Sequence, residues 1–405
     1  MESIFNRSVV EEIDKYLDTD EVIVLHGARQ VGKTSILYYL QNQLNNLGFI
    51  THFIDLEDSR FVKILDAGVG EFLKYLREEG VLADGGQERI IVFIDEIQYL
   101  ANPSQFLKLI ADHHKAIKLI VSGSSSFAIK SKFTDSLVGR TVNFEIFNLS
   151  FKEFLLFKRI SFEDGLPYTD KKIDELSVLF REYVLYGGYP RIVLTPEIEK
   201  KEKYLQQIID TYVKKDIRDL AGVKDIDKFN KLLEALASQG GQLLNVEELS
   251  NTTKIAKQTI NKYLFILENT YIIKMVRPFS RNLRSELFKL PKIYFYDTGL
   301  MQMLWLKGLQ KEVIGNVFET GIFAELVKKY SQDAVFYWRT KDRKEIDFIL
   351  RIKDAILPIE VKLNFEQFNP MAIRYFNGHY GLNDYRVVSL NGGRKSESCI
   401  YPWAL

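Results

Sequence analysis

The 405 residues exceed what a single hydrophobic core accommodates, so two or three domains are expected. Hydrophobic residues at 46% and charged ones at 27% exclude a disordered or fibrous chain, and 55 Lys and Arg against 54 Asp and Glu leave a net charge of +1, which excludes a global attraction to nucleic acid or membrane. The lone Cys399 excludes an internal disulfide and a cysteine metal site; with no apolar run near the roughly 18 residues of a membrane span and no signal-peptide core, a cytoplasmic protein that makes no membrane contact is expected.

Residues 21–149 alternate short apolar runs of strand type (EVIVLHG, NLGFITHFIDL, RIIVFIDE, IKLIVSG, RTVNFEIFNL) with helical stretches after Thr34, at 69–79 and at 104–114. That alternation predicts an α/β fold with a parallel sheet covered by helices. From 151 to about 220 the apolar spacing turns helical, in FKEFLLFK and YLQQIIDTYVKKDIRDL, with a break at YGGYP, and predicts a helical lid. Residues 224–279 give a short helix, a break at Gly240 and Gly241, two further helices and the β-type run YIIKMVRPF, an order that fits a winged helix. After about residue 312 come one helix and the strand-like runs VFYWRT, EIDFILRI and ILPIEVKL of a small α/β domain. With GARQVGKT, the pattern of a phosphate-binding loop, between the first strand and the first helix of the sheet region, the expected division is 1–150 for a P-loop NTPase core, 151–222 for the lid, 223–300 for the winged helix and 301–405 for the last domain.

GARQVGKT fits the phosphate-binding loop G-x-x-x-x-G-K-[ST] in full, directly after an apolar strand and before a helix. The expected ATP contacts are Gly27, Ala28, Arg29, Gln30, Val31, Gly32, Lys33, Thr34 and Ser35: backbone N–H groups turn onto the phosphates, Lys33 reaches the β and γ phosphates, and the Thr34 hydroxyl serves magnesium. Arg29 receives no catalytic role. IIVFIDE ends in Asp95, placed to hold the magnesium shell, and Glu96, placed to polarise an attacking water. In KLIVSGSSS both Ser122 and Ser124 stand where a side chain senses the γ phosphate; spacing does not rank them, and Ser124 joins Lys33 and Glu96 in the catalytic set. His26, His113 and His114 have no metal-binding spacing.

GARQVGKT, FIDEIQ, IVSGSSS, LVGR, LSFKEF and GGYP in this order resemble a large prokaryotic family of AAA-type ATPases, over nearly the whole chain. The resemblance implies an ATPase core followed by a winged helix and a C-terminal domain of restriction-endonuclease-like fold. It also places Arg140 of LVGR where AAA-type proteins usually carry the arginine that reaches a neighbour's γ phosphate, which would require a homo-oligomer; a structural salt-bridging arginine is the alternative.

Two further constellations bear on function. Residues 254–292 hold nine basic side chains (Lys254, Lys257, Lys262, Lys274, Arg277, Arg281, Arg284, Lys289, Lys292) against two acidic ones, Glu268 and Glu286. On KQTINKYLFILENT the apolar face of Ile260, Leu264 and Leu267 leaves Lys257, Gln258, Asn261 and Lys262 to solvent, as a helix reading double-stranded DNA would, with RPFSRNLRS as a basic wing. At the C-terminus Glu319, Asp347, Glu360 and Lys362 have the order and spacing of metal-dependent nucleases, Glu360 and Lys362 sharing one strand face; the resemblance points the same way through GxxxE, EIDF and IEVK. A charged face on an ordinary sheet is the alternative. The sequence thus predicts a magnesium-dependent ATPase coupling nucleotide state to DNA binding or processing, or else a regulatory nucleotide switch that recruits proteins and carries a silent C-terminal domain.

Overall fold

The computed structural model describes residues 5–83, 88–123, 137–163, 165, 168–217, 222, 223, 225–280, 290–394 and 396–405. The chain forms two compact units, Met1–Phe147 and Asn148–Leu405.

The first unit contains α1 (Val9–Asp14), β1 (Val22–Gly27), α2 (Lys33–Asn46), β2 (Thr51–Asp55), α3 (Ser59–Asp66), α4 (Val69–Glu78), β3 (Ile90–Asp95), α5 (Pro103–His113), β4 (Ile117–Gly123) and β5 (Thr141–Ile146). Its five strands are all parallel in the order β2-β3-β4-β1-β5. Strands β1, β3 and β4 are inside the sheet and buried throughout, which is why VIVLHG, IIVFID and IKLIVSG read as continuous apolar runs rather than alternating ones. The edge strands β2 and β5 are only partly buried and carry polar residues. One buried cation breaks the rule. Lys118 in β4 donates to the carbonyls of Tyr16, Thr19 and Glu21, closing the turn between α1 and β1. The order has a consequence for chemistry: β4 lies between the strand that launches the phosphate loop and the strand that ends in Asp95, so its tip separates the two.

The second unit begins with α6 (Phe151–Phe157), α7 (Asp170–Tyr186), α8 (Pro190–Leu194) and α9 (Ile198–Ile208), which continues as a π-helical segment, Ile209–Asp216. Ser150 starts α6 through a reciprocal capping box with Glu153, the reason LSFKEF breaks there. Then follow α10 (Ile226–Ser238), α11 (Val246–Thr253), α12 (Lys257–Asn269) and the antiparallel pair β6 (Ile273–Val276) and β7 (Lys292–Phe295), with an added bridge between Leu243 and Lys292. After α13 (Thr298–Leu306) and α14 (Gly315–Tyr330) come β8 (Val335–Arg339), β9 (Glu345–Ile352), β10 (Ala355–Asn364), α15 (Met371–Tyr380), β11 (Arg386–Asn391) and β12 (Cys399–Ile400). This sheet has the order β12-β11-β10-β9-β8, antiparallel from β8 to β10 and parallel from β10 to β12.

Polar contacts distant in sequence tie these helices to the last sheet's helix. Glu325 on α14 accepts from the N–H of Phe151 at 3.0 Å and from the Tyr183 hydroxyl at 2.5 Å, while Lys328 donates to the Leu149 carbonyl at 2.9 Å. The YGGYP break has a similar cause. Asp297, buried, caps α13 through the N–H of Leu300 and accepts from the N–H of Gly188, both at 2.8 Å. Gly187 passes beside it at φ 81°, where an added Cβ would lie 2.2 Å from Asp297 Oδ1. No helix among the described residues is long and apolar enough to cross a membrane.

Candidate functional site

The phosphate loop leaves β1 at Gly27, beside Ile146 of β5. A Cβ on Gly27 would fall 2.0 Å from the Ile146 carbonyl oxygen, so glycine is required here by the neighbouring strand. Gln30 at φ 61° and Gly32 at φ 98° are left-handed, the local twist that turns successive N–H groups into one concavity. Ala28 and Val31 are buried, whereas Arg29, Gln30, Thr34 and Ser35 are exposed. Lys33, the first residue of α2, is buried and donates from Nζ to the carbonyls of Ala28 at 2.8 Å and Gly27 at 3.2 Å. Burial pulls its ammonium down to about 8, against the upward pull of Glu96 and Asp95. A cation held out of water by two carbonyls is a group prepared for an anionic ligand.

Asp95 gathers the rest. Its Oδ2 accepts from Thr34 Oγ1 at 2.6 Å and its Oδ1 from Ser122 Oγ, at the tip of β4. Glu96 turns out of β3 in a left-handed conformation at φ 57°, its N–H shared between Asp95 Oδ1 at 3.1 Å and Ser122 Oγ at 3.3 Å. Its carboxylate accepts from Gln98 Nε2. Of the two serines left unranked by spacing, Ser122 is the one brought to Asp95; Ser124 lies outside the described residues. Arg140 forms an intrachain ion pair, Nε to Asp112 Oδ1 at 2.7 Å, the structural contact that had stood as the alternative to an intersubunit role. The oxygen-only set of Thr34, Asp95 and Ser122 beside the loop suits a hard divalent cation such as magnesium, and the buried Lys33 suits a polyphosphate. Sequence reading misses Gln98, which has no motif of its own; its one signal is its position three residues past the end of β3.

The C-terminal residues also meet. Lys362 Nζ bonds Glu360 Oε2 at 2.7 Å and Asp347 Oδ2 at 3.1 Å on adjacent strands β10 and β9. Glu319 Oε1 accepts from the Tyr294 hydroxyl at 2.5 Å and from Lys292 Nζ at 3.3 Å, and Lys292 also pairs with Glu345 at 2.6 Å. Burial, then the Asp347 charge, pushes Glu319 up to about 7 and Glu360 up to about 8. Burial works against both ammonium groups, yet the surrounding carboxylates overcome it and raise Lys292 and Lys362 above the ordinary lysine value. Among the described residues no group of three His, Cys, Asp or Glu side chains is arranged to hold a metal ion. Glu319, Asp347, Glu360 and Lys362, expected as a metal-dependent nuclease site, stand here in an acid and lysine network: each of the three carboxylates accepts from an ammonium group, and Lys292 from β7 completes it.

That finding also revises the basic cluster. Lys292 is buried in ion pairs, Lys274 pairs with Glu268 at 3.5 Å, and Lys257 pairs with Glu247 at 2.8 Å. Arg281, Arg284 and Lys289 lie outside the described residues. On α12, Ile260, Leu264 and Leu267 are buried and Lys257, Gln258, Asn261 and Lys262 exposed, as the spacing predicts. Lys254 and Lys262 line an open pocket of ≈ 380 Å³ together with Lys228 and Thr259.

The parallel order β2-β3-β4-β1-β5 with a full phosphate loop after β1 and an Asp at the end of β3 defines an AAA-type P-loop ATPase. Residues 19–155 match the AAA domain family, residues 177–312 a domain of unknown function (DUF8612) and residues 314–400 a second one (DUF4143). The chain belongs to the same family as an uncharacterized protein of Haemophilus influenzae, to which it is 30% identical over 368 residues, 88% of this chain and 86% of that protein. An uncharacterized protein of Methanocaldococcus jannaschii is 26% identical, over 84% of this chain and 74% of its own length. Among solved structures, the Walker-type ATPase of Pyrococcus abyssi is 17% identical, covers 74% of this chain and 95% of its own, and superposes with a TM-score of 0.47.

Proposed function

We propose that the chain hydrolyses ATP with magnesium at the loop Gly27 to Thr34. The observation that carries this reading is the continuous set Lys33, Thr34, Asp95, Ser122 and Glu96 assembled at the tips of β1, β3 and β4. The N–H groups of residues 27–34 and the Lys33 ammonium would bind the phosphates, Lys33 giving up its carbonyl partners to do so. Thr34 and Asp95 would hold magnesium, which when bound neutralises phosphate charge. Glu96 orients the attacking water and takes its proton, its carboxylate fixed by Gln98 and its backbone by Ser122. Arg140 joins this chemistry only by leaving Asp112 in an assembly of several copies.

The order α10, α11, α12, β6, β7 supports a winged helix, and the exposed face of α12 with Lys254 and Lys262 supports contact with the phosphates of double-stranded DNA, whose binding the nucleotide state would control. The α14, β8 to β11 and α15 arrangement supports a restriction-endonuclease-like fold. A second reading is favoured by Lys292: with the acids of that domain satisfied by lysines, it acts as a silent interaction module of a nucleotide switch. The test is magnesium-dependent ATP turnover by wild type, Lys33→Ala and Glu96→Gln, with and without DNA. Turnover lost in both variants and raised by DNA is expected; turnover surviving Lys33→Ala refutes the site, and turnover indifferent to DNA favours the switch.

A further inference from the structure

Arg7 belongs to no motif, yet it is buried and reaches the phosphate loop from outside. Its Nη1 donates to the Val31 carbonyl at 2.9 Å and its Nη2 to the Phe147 carbonyl at 3.0 Å. Val31 and Gly32 share one planar peptide unit, in which C=O and N–H point in opposite directions. Holding the Val31 oxygen outward therefore fixes the Gly32 N–H on the opposite side, at the mouth of α2, whose N-cap is Gly32. That peptide is the one in the loop most prone to flip, because the glycine after it accepts either sign of φ without steric penalty. A bidentate guanidinium prevents the flip. Its second bond lands on Phe147, the last residue of the first unit. The preceding residue, Ile146, presses its carbonyl against Gly27 at the other end of the same loop. Both ends of the phosphate loop are thus braced on one dipeptide at the end of β5: Gly27 by direct contact, Val31 through Arg7.

We infer that Arg7 is a positioning residue that sets the phosphate loop's Val31 to Gly32 peptide for ligand binding and ties it to the point where the chain leaves the ATPase unit. Displacement at Phe147 would then reach the loop, and nucleotide binding would restrain Phe147, without either passing through Lys33 or Asp95.

The inference rests on the nucleotide-binding reading, so wild type and Lys33→Ala are measured beside the Arg7 variants. Binding of magnesium ADP to the full-length chain is followed by calorimetry, with the melting temperature of the nucleotide-free protein recorded for each. Arg7→Ala should weaken ADP by roughly ten- to hundredfold, the scale of losing charge-assisted hydrogen bonds, while the nucleotide-free protein melts near the wild type. Arg7→Lys, which serves one carbonyl, should lose less, and methylguanidinium should restore affinity to Arg7→Ala but not alter wild type. ADP affinity within twofold of wild type in Arg7→Ala overturns the inference. So does a loss that neither lysine nor methylguanidinium relieves and that accompanies a lowered melting temperature, since that describes a purely structural arginine. If Arg7→Ala does not fold, Arg7→Lys is judged against wild type by the same criteria. A wild type that fails to bind ADP refutes the nucleotide reading itself, and this inference with it.

Discussion

Glu96 sits in a left-handed backbone conformation that a side chain adopts at a cost of about 1–2 kcal/mol. The surrounding bonds offset that cost: Ser122 and Asp95 share its N–H and Gln98 fixes its carboxylate, so the side chain proposed as general base is held at the tip of β3. Glu96→Gln should lower turnover by roughly 10²–10⁴-fold while ADP still binds, because the backbone contacts persist and only the proton acceptor is lost. Ser122→Ala should act more mildly, lowering turnover about tenfold and raising the magnesium concentration needed for half activity, since Asp95 loses a partner rather than itself. Equal magnesium requirements in wild type and Ser122→Ala would refute that assignment. At the second cluster the sign of the pH dependence follows from Glu319, held near 7, and Glu360, near 8, against an ordinary value of 4.5. The folded chain keeps protons there that the unfolded chain releases, so across pH 4.5 to 8 folding binds protons and stability falls as pH rises. Glu360→Gln should flatten that slope in urea denaturation between pH 6 and 8; an unchanged slope shows that Glu360 is ionised throughout.

At the level of elements, the second unit is organised by buried polar joints as much as by apolar faces. The Gly187 to Asp297 joint is the sharpest case. Gly187→Ala places a Cβ 2.2 Å from Asp297 Oδ1 at φ 81° and should destabilise the second unit by about 3 kcal/mol or more, combining backbone strain with displacement of a helix-capping carboxylate. Gly381→Ala in the same unit, at φ 69° with nothing within 4 Å of the added Cβ, isolates the backbone part and should cost only about 1 kcal/mol. Equal losses in urea titrations of the two variants would mean that the clash is relieved cheaply. The same joint explains which features were legible in sequence. The phosphate loop is a contiguous eight-residue pattern, the buried strands are contiguous apolar runs and the buried face of α12 is a local period, so each could be read within one window. YGGYP could be read as a break but not explained, because its partner Asp297 is 109 residues from Gly188. Arg7 bonds residues 24 and 140 positions away, and Lys292 bonds Glu319 across 27. A lysine counted as surface charge and an arginine with no motif acquire their roles only from the folded neighbours that sequence spacing does not name.

On the scale of the whole molecule, a net charge of +1 leaves any DNA affinity to a local surface, and its strength is measurable as a count of released counterions. Were all nine basic residues of 254–292 on phosphate, the affinity would fall with salt at a log–log slope of roughly −8, using about 0.9 per contact. Lys292 is buried among Glu319 and Glu345, and Lys274 is held by Glu268, which removes two of the nine from such contact. Lys257 is exposed and its pairing with Glu247 is weak enough to exchange for a phosphate. The slope for double-stranded DNA should therefore lie between roughly −2 and −6, and Lys254→Ala or Lys262→Ala should each make it shallower by about 1 with little change in sequence preference. Measured with and without ATP, the same titration separates the two functional readings. A slope in that range whose intercept shifts with nucleotide supports DNA as the partner under nucleotide control. A slope near zero shows that the exposed lysines of α12 are only solvated, and the partner is then a protein that docks on the same module, for which the apolar and partly exposed Phe265 on that face is the first residue to substitute.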